Sequence, residues 1–195
     1  VERVVVSRVD PAWVLGRDHS PDLKSLQARK VAIIGCGSVG SELAALLAKA
    51  GVGELALVDH ADLNSSNRGR YLLGAQHLGH NKAQAVAEEL RRRLPHLRAE
   101  FVCPKRFEAL TVPELDNLAT VDLIITAGLD IEGEAVVNAW RQTLDRPPAY
   151  VSTWVEAYCS AGHAVLLYGR ADLMTRFERE RPSFRLTDWP PEAHH

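Results

Sequence analysis

Residues 31–52 place a short apolar run, a glycine-rich loop and a longer amphipathic stretch in immediate succession. The run VAIIG predicts a fully buried strand, and SELAALLAKAGV has apolar residues at helical spacing up to a stop at Gly51. Between them lie Gly35, Gly37 and Gly40 in the spacing G-x-G-x-x-G. A strand that turns this tightly into a helix is typical of a parallel sheet with helices packed on it.

The chain downstream repeats this alternation. Four more apolar runs predict strands, and two more amphipathic stretches predict helices. A final run at 163–169 predicts a strand that turns back on the preceding one as an antiparallel hairpin. The fold class is therefore predicted to be α/β, with a Rossmann-like, doubly wound, mostly parallel sheet and an antiparallel hairpin toward the C-terminal end. The four strands are expected at 55–59, 99–103, 121–128 and 149–155, and the two helices at 81–94 and 132–144.

The two ends of the chain differ in texture from this pattern. We expect an N-terminal lead-in over 1–28, one folded domain over 29–170 and a C-terminal extension over 171–195, which is charged and contains proline. The first residue is Val1, so we also expect the chain to be a segment of a longer protein.

Charge and composition argue against several function classes. The chain has 23 Lys and Arg against 25 Asp and Glu, a formal net charge of −2, so it carries no broad basic field for nucleic acid or an anionic membrane. No run approaches the roughly 18 apolar residues that a membrane span needs. Cys36, Cys103 and Cys159 form no C-x-x-C pair and are expected to be buried, reduced thiols of a cytoplasmic protein.

The glycine loop and the acid after the second strand indicate a nucleotide site. Gly35 permits the tight turn, Gly37 lets the backbone approach a pyrophosphate, and Gly40 lets the helix pack on its strand. The N-terminus of that helix adds free N–H groups and a positive dipole end. Asp59 ends the second strand, where an acid accepts hydrogen bonds from ribose hydroxyls. These residues predict binding of an adenosine moiety and leave NAD and ATP both open.

The segment that follows Asp59 favours ATP. Asn67, Arg70 and Lys82 come before and into the next helix. Arg and Lys side chains aimed at the β- and γ-phosphates neutralise the charge that grows on a leaving pyrophosphate. A dinucleotide carries less phosphate charge, so a cationic set of this kind is more useful to a triphosphate.

Over about residues 15–168 the sequence resembles the ThiF/MoeB/HesA-type adenylyltransferases, the superfamily that includes the ubiquitin-activating enzymes. The resemblance rests on motifs in order: KVAIIGCGSVGSELA, then LVDHADLNSSNRGR, then a G-x-x-K and then ITAGLD. The second motif has Asp59, Asn67 and Arg70 in the spacing D-(x)7-N-x-x-R, and the last two motifs end at Lys82 and Asp130. The likeness is greatest to bacterial members in which this domain is part of a larger activating enzyme.

The resemblance implies the roles of these residues and makes 29–170 an ATP-binding adenylation domain. It places Asp59 at the ribose, Asn67, Arg70 and Lys82 at the phosphates, and Asp130 at Mg²⁺. Arg70, Lys82 and Asp130 then form the catalytic set, with ATP and Mg²⁺ as cofactors. Asp130 also follows the fourth strand at the edge where ligands gather in open α/β sheets, and a carboxylate suits Mg²⁺. The same side chain is positioned to cap the next helix.

The reaction that the resemblance implies joins ATP to the C-terminal carboxylate of a ubiquitin-like or sulfur-carrier protein. The products are an acyl-adenylate and pyrophosphate, and the enzyme is expected to be a homodimer with no nucleic-acid or membrane partner. Two alternatives stay open: an NAD-dependent oxidoreductase, supported by the glycine loop and Asp59, and a non-catalytic scaffold half of an activating heterodimer. Packing roles are favoured for the cysteines, surface positions for His77 and His80, and a first-turn helix position for Glu134.

Overall fold

The computed structural model describes residues 7–8, 10–15, 22–65, 71–156 and 159–175. Its strands are β1 Lys30–Ile34, β2 Glu54–Val58, β3 Val102–Cys103, β4 Leu123–Ala127, β5 Ala149–Val155 and β6 Gly162–Leu167. Its helices are α1 Pro11–Val14, α2 Leu23–Gln27, α3 Ser38–Ala50, α4 Lys82–Arg93, α5 Val112–Ala119 and α6 Ile131–Thr143. Short 3₁₀ turns lie at Ala75–His77 and Phe107–Ala109.

The strands form one six-stranded sheet in the order β3-β2-β1-β4-β5-β6. Neighbours from β3 to β5 pair in parallel, and β6 pairs antiparallel with β5. In that hairpin Tyr150 lies opposite Leu167, and Val155 lies opposite Gly162. The mostly parallel, Rossmann-like sheet with a terminal hairpin is confirmed.

Helices cover both faces of the central strands, which explains why those strands are continuous apolar runs. On one face, Ile33 and Leu57 pack with side chains of α3 and α4. On the other face, Ile34 and Val58 pack with side chains of α5 and α6. Because alternate residues of one strand enter different cores, all of them must be apolar, and the register of the sheet is fixed from both sides.

The third strand is shorter than the predicted 99–103. Glu54 pairs with Arg98 in an isolated bridge, and three residues further along β2, Leu57 pairs with Val102. The partner segment therefore uses one residue more than β2 over the same distance, which is a β-bulge. Backbone hydrogen bonds from β2 to this segment persist on both sides of the bulge, including 2.8 Å from Leu55 N to the Arg98 carbonyl oxygen.

Helix α5 was not predicted, because its eight residues are too few to establish an amphipathic period. Its start carries a local signal. The Thr111 backbone N–H and hydroxyl both donate to the Glu114 carboxylate, at 2.7 and 2.8 Å, in a capping box.

The predicted domain limits at 28 and 170 stay predictions. Just beyond the second limit, Leu173 is fully buried in the α5/α6 core. The buried Arg141 guanidinium of α6 donates to the carbonyl oxygens of Pro148, at 2.9 Å, and Ala171, at 3.2 Å. In the ranges that the structure describes, no helix is long and apolar enough to span a bilayer.

Candidate functional site

A cavity of about 300 Å³ opens at the carboxyl edge of the sheet. Its wall is built from the segments that follow β1, β2, β3 and β4, together with the start of α4. Five predicted site residues lie in this wall: Gly35, Gly37, Asp59, Lys82 and Asp130. The carboxyl ends of neighbouring parallel strands share one edge, so residues far apart in sequence converge there.

The three glycines of the loop are needed for different structural reasons. Gly35 has a φ of +93°, and a Cβ on it would come within 2.6 Å of the Ala127 carbonyl oxygen. A Cβ on Gly40 would lie 1.9 Å from the Gly35 carbonyl oxygen, so α3 packs directly on the loop that precedes it. A Cβ on Gly37 would meet no atom of a described residue within 4 Å, and this residue lines the cavity. The backbone at Gly37 is therefore open to a ligand at the N-terminus of α3.

Asp59 joins the second strand to the glycine loop. Its Oδ2 accepts a 2.7 Å hydrogen bond from Cys36 N, and its Oδ1 accepts one of 2.8 Å from Ala61 N. The side chain is 9% exposed and lines the cavity. Each carboxylate oxygen has a second lone pair, so both can still accept a hydroxyl hydrogen bond from a ribose.

Lys82 supplies a positive charge to the same cavity. It is the first residue of α4, and its backbone N–H donates to the Ala61 carbonyl oxygen at 2.9 Å. The preceding Asn81 caps the helix, accepting from Gln84 N at 3.2 Å and donating from its amide to the Asp59 carbonyl oxygen at 2.8 Å. Within the described part of the chain, the Lys82 ammonium has no ion pair or hydrogen bond, so its charge is available to an anionic ligand.

Asp130 caps α6, as its sequence position predicted. Its Oδ1 accepts a 2.8 Å hydrogen bond from Gly133 N, whereas its Oδ2 has no hydrogen bond to any described residue. No three His, Cys, Asp or Glu side chains converge on a point anywhere in the described ranges. A divalent cation at this edge would thus combine one Asp130 oxygen with phosphate oxygens and water, which is the ligand set that Mg²⁺ prefers.

Asn67 and Arg70 lie outside the described residues. Their predicted contacts with the phosphates stay predictions.

The segment after β3 brings to the cavity charged residues that were not predicted from the sequence. Lys105, Arg106 and Glu108 all line it. The Lys105 ammonium lies 2.7 Å from the Glu114 carboxylate. This ion pair, with the hydrogen bonds from Thr111, lowers the pKa of Glu114 to about 2. Lys105, Arg106 and Glu108 carry one signal in the sequence, which is that they come shortly after the carboxyl end of a predicted strand.

Glu134 was expected to be a first-turn acid of α6 and does lie in that turn, but it is a buried residue. Its carboxylate accepts hydrogen bonds from the Thr126 hydroxyl, at 2.8 Å, and from the Tyr150 hydroxyl. Burial raises the pKa of Glu134 because it penalises the charged form. A second cavity of about 250 Å³ borders this network and is lined by Leu129, Ile131, Glu134, Ser152 and Trp154.

Two smaller expectations were wrong. His77, expected at the surface, is buried, because the turn that carries it folds onto α4 and brings its Nε2 within 3.9 Å of Glu89. Cys159, expected to be buried, is exposed in the connection between β5 and β6, with a φ of 56°. Cys36 and Cys103 are buried free thiols, as expected.

Comparison with known proteins gives matches by family, by sequence and by structure. Residues 14–175 match the ThiF family. The ATP-dependent ubiquitin transferase-like protein Cap2 of Pseudomonas aeruginosa is 33% identical over 178 residues, covering 89% of this chain and 31% of that protein. The adenylyltransferase and sulfurtransferase MOCS3 of Mus musculus is 47% identical over 68 residues, covering 34% of this chain and 15% of that protein. The chain therefore spans less than a third of the length of these curated relatives.

Solved structures share the fold. The crystal structure of E. coli MccB with ATP aligns with a TM-score of 0.54 and 22% identity, covering 68% of this chain and 39% of that one. At this identity the likeness concerns the arrangement of helices and strands.

Proposed function

The chain belongs to the ThiF family, and from this premise we propose that it is an ATP-dependent adenylyltransferase. Its second substrate is the C-terminal carboxylate of a ubiquitin-like or sulfur-carrier protein. One observation carries the proposal: the Gly37 backbone, the Asp59 carboxylate, the Lys82 ammonium, which has no partner among the described residues, and the Asp130 carboxylate meet in one cavity. The relatives Cap2, an ATP-dependent ubiquitin transferase-like protein, and MOCS3, an adenylyltransferase and sulfurtransferase, support the same chemistry.

In the proposed reaction a carboxylate oxygen of the carrier protein attacks the α-phosphorus of ATP. A bond forms between that oxygen and phosphorus, and the bond to the oxygen bridging the α- and β-phosphates breaks. Pyrophosphate leaves with the electron pair, and the acyl-adenylate remains. Because the attacking carboxylate is already ionised, the step needs no general base and no enzyme nucleophile. The protein contributes positioning and charge neutralisation.

The proposal gives each site residue a part in that step. Backbone N–H groups at Gly37 and the start of α3 donate hydrogen bonds to phosphate oxygens. Asp59 holds the ribose hydroxyls. Lys82, with the predicted Asn67 and Arg70, neutralises the charge on the leaving pyrophosphate. Asp130 would hold Mg²⁺ through its carboxylate, and the bound ion would supply positive charge that screens the phosphates.

An NAD-dependent oxidoreductase would use the glycine loop and Asp59 in the same way. It would have less phosphate charge for Lys82 to neutralise and no Mg²⁺ for Asp130 to hold. A non-catalytic scaffold would have no reason to keep either group in the cavity. These two residues therefore support ATP over both alternatives. Homodimer formation stays a prediction of the resemblance, and a cytoplasmic location stays a prediction from the cysteine pattern.

Exchange of labelled pyrophosphate into ATP tests the proposal, with purified ubiquitin and a purified sulfur-carrier protein as separate acyl donors. We expect exchange that depends on one of the donors and on Mg²⁺. Lys82→Ala and Asp130→Ala should each lower its rate by about 100-fold or more, the effect of removing one charge-stabilising group from an active site. Lys49→Ala, an exposed lysine at the far end of α3, should leave it unchanged. Equal rates in wild-type protein and Lys82→Ala would contradict the proposal.

A further inference from the structure

The strand order sets the order of groups along the cavity. Asp130 follows β4, Gly37 follows β1, Asp59 follows β2 and Arg106 follows β3, and these four strands are adjacent in the sheet. Neighbouring strands lie about 4.8 Å apart. A nucleotide with its phosphates at the start of α3 and its ribose at Asp59 therefore extends its base beyond β2, toward the segment that follows β3.

The backbone at Arg106 is held from both sides. On one side the Lys105 ammonium lies 2.7 Å from the Glu114 carboxylate. On the other side Phe107 is buried and packs edge to face against Trp140 of α6, with ring centroids 5.3 Å apart. Arg106 itself is extended and caps the 3₁₀ turn that begins at Phe107. Its place at the cavity wall is therefore fixed by the fold rather than by a free loop.

The two cationic side chains of this segment, Lys105 and Arg106, differ in whether their charge is available to a ligand. Lys105 is paired with Glu114, and this pair satisfies its charge. Arg106 lines the cavity and has no ion pair or hydrogen bond with any residue in the described ranges. A guanidinium is planar and weakly hydrated, so it stacks on aromatic faces, whereas an ammonium acts as a point charge.

We propose that Arg106 stacks its guanidinium plane on the base of the bound nucleotide, at the end of the cavity opposite Asp130. The inference rests on the proposed nucleotide site and adds a recognition residue to it. Lys82 and Arg106 then divide the ligand between them, because Lys82 meets phosphate and Arg106 meets the base. Stacking of a base on one side chain typically contributes about tenfold or more in affinity.

Calorimetric titration with three ligands separates these roles: ATP, AMP and inorganic tripolyphosphate, each with Mg²⁺. Arg106→Ala should weaken ATP and AMP by a similar factor of about tenfold and leave tripolyphosphate unchanged. Arg106→Lys should also bind ATP and AMP more weakly than wild type, because an ammonium has no plane that can stack on the base. Lys82→Ala should weaken ATP and tripolyphosphate more than AMP. Arg146 is exposed and does not line the cavity, so Arg146→Ala is the matched control and should bind all three ligands like wild type.

Other results would contradict the stacking inference, the proposed function or both. If Arg106→Ala weakens tripolyphosphate, the guanidinium meets phosphate and the stacking inference is wrong. If Arg106→Lys binds ATP as tightly as wild type, positive charge alone is sufficient at this position and the stacking inference is again wrong. If Lys82→Ala weakens ATP while Arg106→Ala changes nothing, the inference fails and the proposed function stands. If wild-type protein binds none of the three ligands, the proposed function fails and the inference fails with it.

Discussion

Two alanine substitutions three residues apart in the glycine loop should have opposite consequences. A Cβ at position 40 would lie 1.9 Å from the Gly35 carbonyl oxygen and 3.1 Å from the Ala127 Cβ. A Cβ at position 37 would meet no atom within 4 Å in the part of the chain that the structure describes, and Gly37 has a φ of −73°, which alanine adopts without strain. Gly40→Ala should therefore damage the fold, and Gly37→Ala should damage only the site.

The magnitudes follow from these distances. An extra methyl group in a packed site costs about 1–3 kcal/mol, and the contact at Gly40 is with backbone that cannot rotate away, so we expect about 3 kcal/mol. For a domain of this size each kcal/mol lowers the unfolding midpoint by about 2–4 °C, which gives roughly 6–12 °C for Gly40→Ala. Gly37 is the N-cap of α3, where alanine costs at most about 1 kcal/mol more than glycine, a shift of less than about 4 °C.

Differential scanning calorimetry with and without Mg·ATP measures both effects. Without ATP, the unfolding midpoint of Gly37→Ala should lie within about 4 °C of that of wild type. The variant should lose most of the stabilisation that ATP gives wild-type protein, because its methyl group occupies the space that phosphate needs. A Gly37→Ala variant stabilised by ATP as strongly as wild type would refute the assignment of that backbone to the ligand. A Gly40→Ala variant with an unchanged midpoint would refute the packing argument.

Three further predictions concern titrating and reactive groups. Burial raises the pKa of Glu134 above its ordinary 4.5, so the native state holds this proton more tightly than the unfolded chain and loses stability as the pH rises through the native pKa. Glu134→Gln keeps an acceptor for Tyr150 and should raise the unfolding midpoint at about pH 8, with a smaller gain at about pH 4; a lower midpoint at both would contradict this. The pKa of Glu114 is lowered to about 2, so its contribution is complete above its ordinary 4.5 and is lost as the pH falls from there toward 2. Glu114→Gln should therefore be less stable than wild type at neutral pH, and the difference should vanish in acid-unfolding curves near pH 2; a constant difference would count against the ion pair. Cys159→Ser should leave pyrophosphate exchange unchanged, since Cys159 is exposed and lies outside the cavity wall, and loss of exchange with the fold retained would assign it a role in the reaction.

Those parts of the fold that follow from periodicity were predictable from sequence. β5 covers 149–155 as predicted, and α6 begins and ends within one residue of its predicted limits. The bulge before β3 and the short helix α5 were not predictable in this way, because one extra residue in a strand and eight residues of helix leave no periodic signal.

The candidate site divides along the same line. Gly35, Gly37, Asp59, Lys82 and Asp130 converge because strand ends and helix starts of a parallel sheet share an edge, which the sequence order already implies. The approach of Lys105 and Arg106 depends on contacts that are distant in sequence or not periodic. The ion pair with Glu114 and the packing of Phe107 on Trp140 are two such contacts. The burial of His77 against Glu89, elsewhere in the molecule, likewise depends on a contact that no periodic pattern indicates.

Binding of Mg·ATP, NAD and NADP, each measured by isothermal titration calorimetry on wild-type protein and Lys82→Ala, tests the central claim most directly. We expect that wild-type protein binds Mg·ATP, that Lys82→Ala binds it at least about tenfold more weakly, and that neither dinucleotide binds. Tight binding of NAD or NADP that is insensitive to Lys82→Ala would contradict it and would identify the cavity as a dinucleotide site.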